Sequence, residues 1–497
     1  MGFYNKNKLV QYLQKPAEEF SKEDIIKYIK EHQIEMLNFR YVAEDGKLKT
    51  LNFVFSDYQH LDQILSTGER VDGSSLFSFM DSGSSDLYVI PRYKTAFLNP
   101  FSEQQALDML CSFYDHKGEP LAIAPEYILQ KAHRQFKKST GFSFKALGEL
   151  EYYVMADKED LYPATDQKGY HTSAPFTNWE HLRTEAIRLI SECGGRVKYG
   201  HSEVGNFTTE NEFFEQHEIE FLPVNVEDTA DQLVIAKWIL RMLGQKYGVR
   251  ISFAPKISVG KAGSGLHIHM MLEKDGENKM VENDILSITA KKMIAGLLHM
   301  AGALTAFGNT IPTSYLRLVP HQEAPTNICW GDRNRSVLVR VPLGWLGAGN
   351  MINHANPNAL QKTPNAASKQ TVEFRAGDGS ADIYEFLAGL IIAAEYGILQ
   401  PDSLEKAESL YVDVNIFEKE HMAKAEKLAS LPTSCWESAD CLQKQRKLFE
   451  ANGIFPANKI DHAISKLKSY EDEYLSEELY GNVDAIKELV EKHLHCK

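Results

Sequence analysis

Apolar and polar residues alternate in several short segments of this chain, which is the pattern of a half-buried β-strand. In five such segments the polar positions carry Glu, His or Arg rather than the Lys, Thr and Ser that are usual on a solvated face. The five segments are residues 149–154, 218–221, 266–272, 336–341 and 371–375. The alternation predicts an antiparallel sheet with a charged face.

Other segments have apolar residues three and four positions apart, which predicts helices. Helices are expected at residues 21–34, 125–140, 179–193, 228–247 and 285–307, and the chain is mostly helical from Ile383 onward. Ser21 and Asp24 form a candidate capping box, and β-prone segments on either side of Asp45-Gly46 predict a hairpin. Residues 344–370 are rich in Gly, Asn and Pro and should form a long loop.

The hairpin region predicts a small α+β domain at the start of the chain, and the polar turn at residues 117–120 marks its end. We therefore expect one domain at residues 1–120 and a second at 121–497, with the helical part of the second starting at about residue 383. A length of 497 residues also favours two domains.

Composition narrows the class of protein. Hydrophobic content of 43% and charged content of 25% are typical of a soluble globular protein. The formal net charge of −14 argues against nucleic-acid binding, which needs a basic face. The six cysteines form no CxxC pair and give no disulfide or zinc signal. No apolar leader or membrane-length apolar run is visible, so we expect a cytoplasmic enzyme that does not bind membranes.

The charged strand faces point to metal chemistry. Shared faces hold Glu149 with Glu151, Glu218 with Glu220, His267 with His269, and Glu373 with Arg375. Each pair alone has a plain explanation as part of a solvated sheet face. If they converge, however, the carboxylates repel one another unless cations intervene. Carboxylates with an imidazole suit Mg²⁺ or Mn²⁺ better than zinc.

Residues 315–342 add four arginines, Arg317, Arg333, Arg335 and Arg340, among apolar residues. Guanidinium groups bind carboxylate and phosphate oxygens, and phosphoryl transfer needs metal ions and cationic side chains around the transferred group. A surface strand with ordinary salt bridges is the alternative.

Seven motifs, in this order, resemble the type I glutamine synthetase family: VDGSS, GELEYY, QHEIEF, GSGLHIH, RLVPHQEAP, RNRSVLVRVP and TVEFRAGD. The resemblance implies an α+β fold, with an N-terminal β-grasp domain, a catalytic domain with an antiparallel β funnel, and a helical C-terminal region. It also implies a homo-oligomer, commonly a dodecamer of two stacked hexamers, whose active sites are shared between neighbouring subunits.

The resemblance further implies that ATP phosphorylates the side-chain carboxylate of L-glutamate and that ammonia then displaces phosphate to give L-glutamine. Two Mg²⁺ or Mn²⁺ ions per active site would assist. Two alternatives stay open. One is a γ-glutamyl ligase that uses another amine, and the other is an inactive relative that acts as a regulator or scaffold.

Residue roles follow from motif position. The implied metal ligands are Glu151, Glu203 and Glu218 for one ion and Glu149, His267 and Glu373 for the other. The implied substrate contacts are Gly263, Arg317, Glu323, Arg335 and Arg375. The implied ammonium contacts are Asp72, Ser75, Asp86, Tyr170 and Glu323, with Asp72 supplied by the neighbouring subunit. The implied ATP contacts are His269, Met271, Arg335 and Arg340. Asp72, Glu323 and Arg335 would act directly in catalysis.

The chain departs from the family pattern at four places: Ala262 replaces Asn, Met271 replaces Ser, Thr371 replaces Arg, and residues 206–214 are an insertion. Lys369 is a candidate replacement for the missing Arg. The insertion is expected to reshape the rim of the site or the nucleotide entrance. These changes leave the acceptor amine open, whereas retention of Asp72, Asp86 and Tyr170 favours ammonia.

Overall fold

The computed structural model describes residues 5–80, 83, 85–158, 161–319, 324–344, 351–358, 369–416, 418–421 and 426–497. The helices are α1 Lys8–Leu13, α2 Lys22–Glu31, α3 Tyr58–Thr67, α4 Pro125–Thr140, α5 Glu180–Glu192, α6 Val226–Tyr247, α7 Ile288–His299, α8 Ala301–Gly308, α9 Ser314–Arg317, α10 Met351–Ala355, α11 Ile383–Leu399, α12 Ser403–Ser409, α13 Cys435–Glu450, α14 Ala457–Lys468, α15 Leu475–Glu478 and α16 Val483–His493.

The strands are β1 Met36–Val42, β2 Leu48–Val54, β3 Glu69–Asp72, β4 Asp86–Pro91, β5 Phe97–Leu98, β6 Ala106–Tyr114, β7 Ser143–Asp157, β8 Val197–Thr208, β9 Glu212–Phe221, β10 Val224–Asn225, β11 Arg250–Ser252, β12 Leu266–Lys274, β13 Glu277–Asn278, β14 Val281–Glu282, β15 Ile285–Leu286, β16 Trp330–Asp332, β17 Val339–Val341 and β18 Val372–Phe374.

The first sheet has the order β2-β1-β6-β4-β3, with β5 beside β6. The predicted hairpin is confirmed, since β1 and β2 pair antiparallel and Gly46 adopts a φ of 71° in the turn between them. The predicted capping box is also present at the start of α2, where the Ser21 and Asp24 side chains each bond the other's backbone N–H. Apolar side chains of α2 and α3 complete the core of this sheet.

The second sheet has the order β16-β17-β18-β12-β7-β9-β8, and all of these neighbours are antiparallel except β16 and β17. Helices α4, α6, α7 and α11 contribute to the large apolar core that covers one face of it. At Gly148 in β7 an added Cβ would lie 2.9 Å from Leu233 of α6, so a glycine there allows the helix to approach closely. The opposite face of the sheet carries the charged residues.

Two predicted elements differ from the structure. The predicted helix at 285–307 is wrong at its start and middle. Ile285 lies in the β14–β15 hairpin, Ser287 caps α7 by accepting a hydrogen bond from Ala290 N–H, and the chain bends at Met300. The predicted strand at 336–341 shortens to β17, because the Asn334 side chain accepts hydrogen bonds from Ser336 and forms a turn there.

The insertion at residues 206–214 extends the β8–β9 hairpin. Phe207 and Phe214 stack at a centroid distance of 4.4 Å, and they pack with Tyr153, Met155 and Leu494. Of the predicted loop at 344–370, the described part contains the short helix α10. The predicted domain boundary at residue 120 stays a prediction.

Among the described residues, no single helix is long and apolar enough to cross a bilayer. Helices α11 and α12, which are bent by 108° relative to each other, meet that test only as a pair.

Candidate active site

The charged face of the second sheet lines a cavity of about 1280 Å³. The charged and imidazole side chains that line it include Glu149, Glu151, Glu203, Glu218, Glu220, His201, His267, His269, Arg317, Arg333, Arg335 and Arg340. Most of the charged residues that the sequence singled out therefore lie around one space rather than on a solvated face.

Strand register explains this convergence. Glu149 on β7 lies opposite Glu220 on β9 and His267 on β12. Glu151 lies opposite Glu218, and His269 lies opposite Glu373. Because side chains alternate with a period of two, aligned strands place the charged positions of all of them on the same face.

The first cluster consists of His201, Glu203 and Glu218, whose potential ligand atoms lie within 4.8 Å of one another. His201 Nε2 is 3.0 Å from Glu218 Oε1. Burial raises the pKa of Glu218 well above its usual range, and the charges of Glu149 and Glu151 raise it further. A divalent cation at this cluster would offset that repulsion.

Glu151 borders the same cluster. Its Oε2 accepts hydrogen bonds from Gly265 N–H at 2.8 Å and from Gln216 Nε2 at 3.1 Å. Gln216 Nε2 also lies 3.0 Å from the Gly263 carbonyl. The carboxylate is thus held in a fixed direction by the backbone of the loop before β12.

In the second cluster, Glu149, His269 and Glu373 have potential ligand atoms within 4.8 Å. His267 Nδ1 also lies 3.0 Å from Glu149 and 3.6 Å from Glu373. His269 Nε2 is 3.0 Å from Glu149, and its Nδ1 is 2.9 Å from the Thr371 hydroxyl. Both imidazoles therefore face the same two carboxylates, and Thr371 orients one of them.

These contacts set the charge of the cluster. Burial alone would raise the pKa of Glu149, but His269 and His267 hold that pKa well below its usual range. Burial lowers the pKa of His267. For His269, the charges of Glu149, Glu373 and Glu220 and the hydrogen bond to Glu149 together outweigh burial and raise the pKa.

Guanidinium groups border the second cluster. Arg340 Nη1 and Arg375 Nε donate to the two oxygens of Glu373 at 2.9 and 3.0 Å. Arg317 donates to the carbonyls of Ala376 and Gly377 at 2.9 and 3.3 Å. The phenol of Tyr170 interacts with Arg335, and despite burial the pKa of Arg335 is raised. Positive groups thus border the carboxylate–imidazole clusters, and guanidinium groups can bind phosphate or carboxylate oxygens.

The predicted ammonium contacts divide into two groups. Tyr170 lines the cavity, whereas Asp72, Ser75 and Asp86 lie on the first sheet and are not among the residues that line it. Asp72 pairs with Asp86 across β3 and β4, and Ser75 donates a 2.7 Å hydrogen bond to Asp72. Hydrogen bonds from Ser74 and Ser75 lower the pKa of Asp72 to about 2.

Glu323 lies outside the described residues. Met271 is buried in the apolar core and does not line the cavity. Gly263 does line it, and an added Cβ there would lie 2.5 Å from the Pro255 carbonyl, so the loop needs a glycine at that position.

His201 was not predicted from the sequence, although His201 and Glu203 alternate as the other pairs do. Lys198, whose ammonium lies 2.6 Å from Glu220 Oε1, was not predicted either. A register shift between Val197 and Tyr199 turns Lys198 toward the cavity, and local alternation does not reveal such a bulge.

The donor set fits hard divalent cations, because it combines carboxylate oxygens with imidazole nitrogen and contains no thiolate. In addition, the buried Oε2 of Glu220 has no hydrogen-bond partner among the described residues. A cavity with this excess of buried acceptors suits cationic ligands.

Comparisons with known proteins agree with this geometry. Residues 33–116 match the family model described as the glutamine synthetase β-grasp domain, and residues 122–480 match the glutamine synthetase catalytic domain. Glutamine synthetase of Clostridium saccharobutylicum is 30% identical over 446 residues, which cover 87% of this chain and 92% of the relative. That of Thermococcus kodakarensis is 31% identical over 439 residues, covering 87% and 89%.

Two solved structures share the fold. The Plasmodium falciparum glutamine synthetase superimposes with a TM-score of 0.73 at 21% identity, covering 93% of this chain and 98% of that one. A structure described as a complex of GmaS with ADP gives a TM-score of 0.71 at 17% identity, covering 92% and 99%.

Proposed function

This chain belongs to the glutamine synthetase family of ligases, and on that basis we propose that it joins ammonia to L-glutamate at the expense of ATP, giving L-glutamine. The observation that carries the proposal is that both carboxylate–imidazole clusters share one cavity with several arginines. Such a combination suits a reaction between anionic substrates with phosphoryl transfer.

The family generally uses ATP and a divalent metal, and we propose two Mg²⁺ or Mn²⁺ ions per active site. The proposed ligands are Glu151, Glu203 and Glu218 for one ion and Glu149, His267 and Glu373 for the other. When bound, the ions would neutralise phosphate charge and orient the substrate oxygens. His201 adjoins the first group and is a candidate addition to it.

In this proposal two arginines bind L-glutamate and two others bind ATP. Arg317 and Arg375, with the Gly263 backbone, bind the carboxylates of L-glutamate. Arg335 and Arg340 bind the transferred phosphoryl group and the phosphates of ATP, with His269 nearby. Met271 has no proposed contact of its own, because its side chain lies in the apolar core.

The first step forms γ-glutamyl phosphate, and the second is attack by the amine with release of phosphate. Asp72, Ser75 and Asp86 from a neighbouring subunit would bind ammonium together with Tyr170 and Glu323. Anionic groups capture the cation, and one accepts a proton so that neutral ammonia can attack. We propose a cytoplasmic homo-oligomer, namely a dodecamer of two stacked hexamers.

The test is formation of γ-glutamyl hydroxamate from L-glutamate, hydroxylamine, ATP and Mg²⁺ by the purified protein. Product that depends on all four components is the expected result. Absence of product, with the protein folded and assembled, would leave the inactive regulator or scaffold as the better reading.

The acceptor amine is tested separately, with ammonia, ethylamine and putrescine compared at equal concentration. We expect kcat/KM to be highest for ammonia, because the carboxylates of the proposed pocket suit a small cation. A higher value for either organic amine would replace glutamine formation by γ-glutamyl-amine formation.

A further inference from the structure

The loop between β7 and α5 lies along the outer edge of β8 and also contacts the loop that carries Gly263. We propose that Gln167 is a positioning residue that holds the Ala262–Gly263 backbone in place for L-glutamate and couples it to the segment carrying Tyr170. This inference rests on the proposed function, because that function is what makes Gly263 and Tyr170 substrate contacts.

Residues 167–171 form an irregular segment that is hydrogen-bonded along β8. The backbone N–H groups of alternate residues donate to β8 carbonyls: Gln167 to Asn206 at 2.9 Å, Gly169 to Val204 at 3.2 Å, and His171 to Ser202 at 2.9 Å. An added Cβ at Gly169 would lie 2.5 Å from the Glu203 carbonyl, so the segment lies flush against β8. It is thereby fixed next to a proposed metal ligand.

Both polar atoms of the Gln167 side-chain amide form hydrogen bonds. Its Nε2 donates to the Asn206 carbonyl at 3.1 Å, and its Oε1 accepts from Ala262 N–H at 2.8 Å. Gln167 and His171 have φ values of 55° and 57°, a left-handed conformation that is unfavourable for residues with side chains. Such a conformation persists where surrounding contacts hold it, which is the case for this segment.

The receiving loop is held from its other side as well. The Ala262 carbonyl accepts a 2.8 Å hydrogen bond from the Tyr153 hydroxyl, and the Gly263 carbonyl accepts one of 3.0 Å from Gln216. Ala262 stands where the family pattern has Asn, so its own side chain cannot form polar contacts. The Gln167 side chain, from a different loop, instead accepts a hydrogen bond from the Ala262 N–H.

The same segment carries Tyr170, which lines the cavity with Arg335 and interacts with it electrostatically. Loss of the Gln167 bonds should therefore disturb the glutamate contact and the amine side together. His269 and Arg340, which we assign to ATP, lie on β12 and β17 and form no hydrogen bond to residues 167–171 in the described chain. Arg335 is also assigned to the ATP phosphates, so the expected signature is a large rise in KM for glutamate and ammonia and only a small rise for ATP.

The experiment compares Gln167→Met, which keeps side-chain length but forms neither hydrogen bond, with Gln167→Glu, which can still accept from Ala262 N–H. We expect Gln167→Met to raise the KM for glutamate about tenfold and the KM for ATP less than about twofold, as loss of one or two hydrogen bonds allows. Gln167→Glu should recover most of the glutamate KM. Lys168→Ala, an exposed side chain in the same segment, is the matched control.

Glutamate binding is also measured by calorimetry, so that the result does not depend on turnover. A wild-type protein that binds glutamate but forms no product would refute the proposed function, and the Kd ratio of Gln167→Met to wild type would still decide the role of Gln167. An unchanged glutamate Kd in Gln167→Met overturns the inference. So does an equal rise in all three KM values with a lower Tm, or a wild-type protein that binds no glutamate.

Discussion

At Glu373 two guanidinium groups and two imidazoles surround one buried carboxylate. Burial would raise the pKa of Glu373, but Arg375, His269 and His267 outweigh both burial and the charge of Glu149, so the pKa is lowered. Glu373 thus stays ionised at neutral pH and can serve as a metal ligand. Arg340 donates to Glu373 at 2.9 Å, and a guanidinium can donate to a phosphate oxygen in the same way.

For Arg335→Lys we expect kcat to fall on the order of 10²-fold, because an ammonium cannot replace a planar guanidinium at a developing phosphoryl charge. Steady-state kinetics with ATP and glutamate measure this effect, and circular dichroism checks that the fold is retained. Turnover within a factor of two of wild type would remove Arg335 from the phosphoryl role.

The strand alternation located Glu149, His267 and Glu373 because each position follows from the period of its own strand. Lys198 was not predicted to face the cavity, because a bulge changes that period locally. Gln167 was not predicted for a different reason. Its partner Ala262 is 95 residues away along the chain, and single-sequence patterns carry no information on such pairs.

At the scale of elements, the inserted part of the β8–β9 hairpin forms an apolar cluster of its own. Phe207 is 6% exposed, as is Phe214, and the cluster reaches Leu494 near the C-terminus. That the insertion reshapes the rim of the site or the nucleotide entrance stays a prediction. The aromatic stack depends on the pairing of Phe207 with Phe214 across the hairpin. This register becomes visible only when the strands are paired.

We expect Phe207→Ala to destabilise the protein by about 3 kcal/mol, the usual cost of truncating a buried aromatic residue. Thermal unfolding measures the change, with Glu210→Ala at the exposed tip of the same hairpin as the control. A Tm equal to that of the control would show that the stack does not contribute to stability.

A contact between Glu44 and His462 joins the first sheet to α14. The imidazole of His462 lies 2.9 Å from Glu44, and Ser78 N–H donates to Glu44 at 2.6 Å. Burial would raise the pKa of Glu44, but His462 and Ser78 lower it to about 2. The carboxylate therefore contributes stability above its usual pKa, and this contribution is lost as the pH falls toward 2.

Glu44→Gln should accordingly lower the Tm at pH 7, and the difference from wild type should shrink as the pH is lowered below about 4.5, the usual glutamate range. Differential scanning fluorimetry between pH 3 and pH 7 measures it. A difference that is constant across this range would contradict the assigned contact.

At the scale of the whole molecule, Asp72 and Asp86 lie on adjacent strands at one end of the first sheet, whereas their proposed partner Tyr170 lines the cavity of the second. This separation is the structural support for a site shared between subunits. The resemblance carried by the motif VDGSS predicted the residues, and the proposed sharing would place the two parts of each site on different subunits.

Co-assembly of Asp72→Ala subunits with Glu373→Ala subunits should restore activity to about one quarter of wild type, because random mixing leaves that fraction of interfaces with both residues intact. Each variant alone should be nearly inactive. Mixed oligomers that stay as inactive as the two parents would contradict the sharing of sites.

The segment at residues 167–171 has a consequence for solubility as well as for substrate binding. By bonding to the carbonyls of Ser202, Val204 and Asn206, it covers the polar backbone groups of the outermost strand, which would otherwise offer a template for pairing with another chain. A chain in which this loop came away would expose an open sheet edge, so the same hydrogen bonds that arrange the cavity also protect the sheet from aggregation.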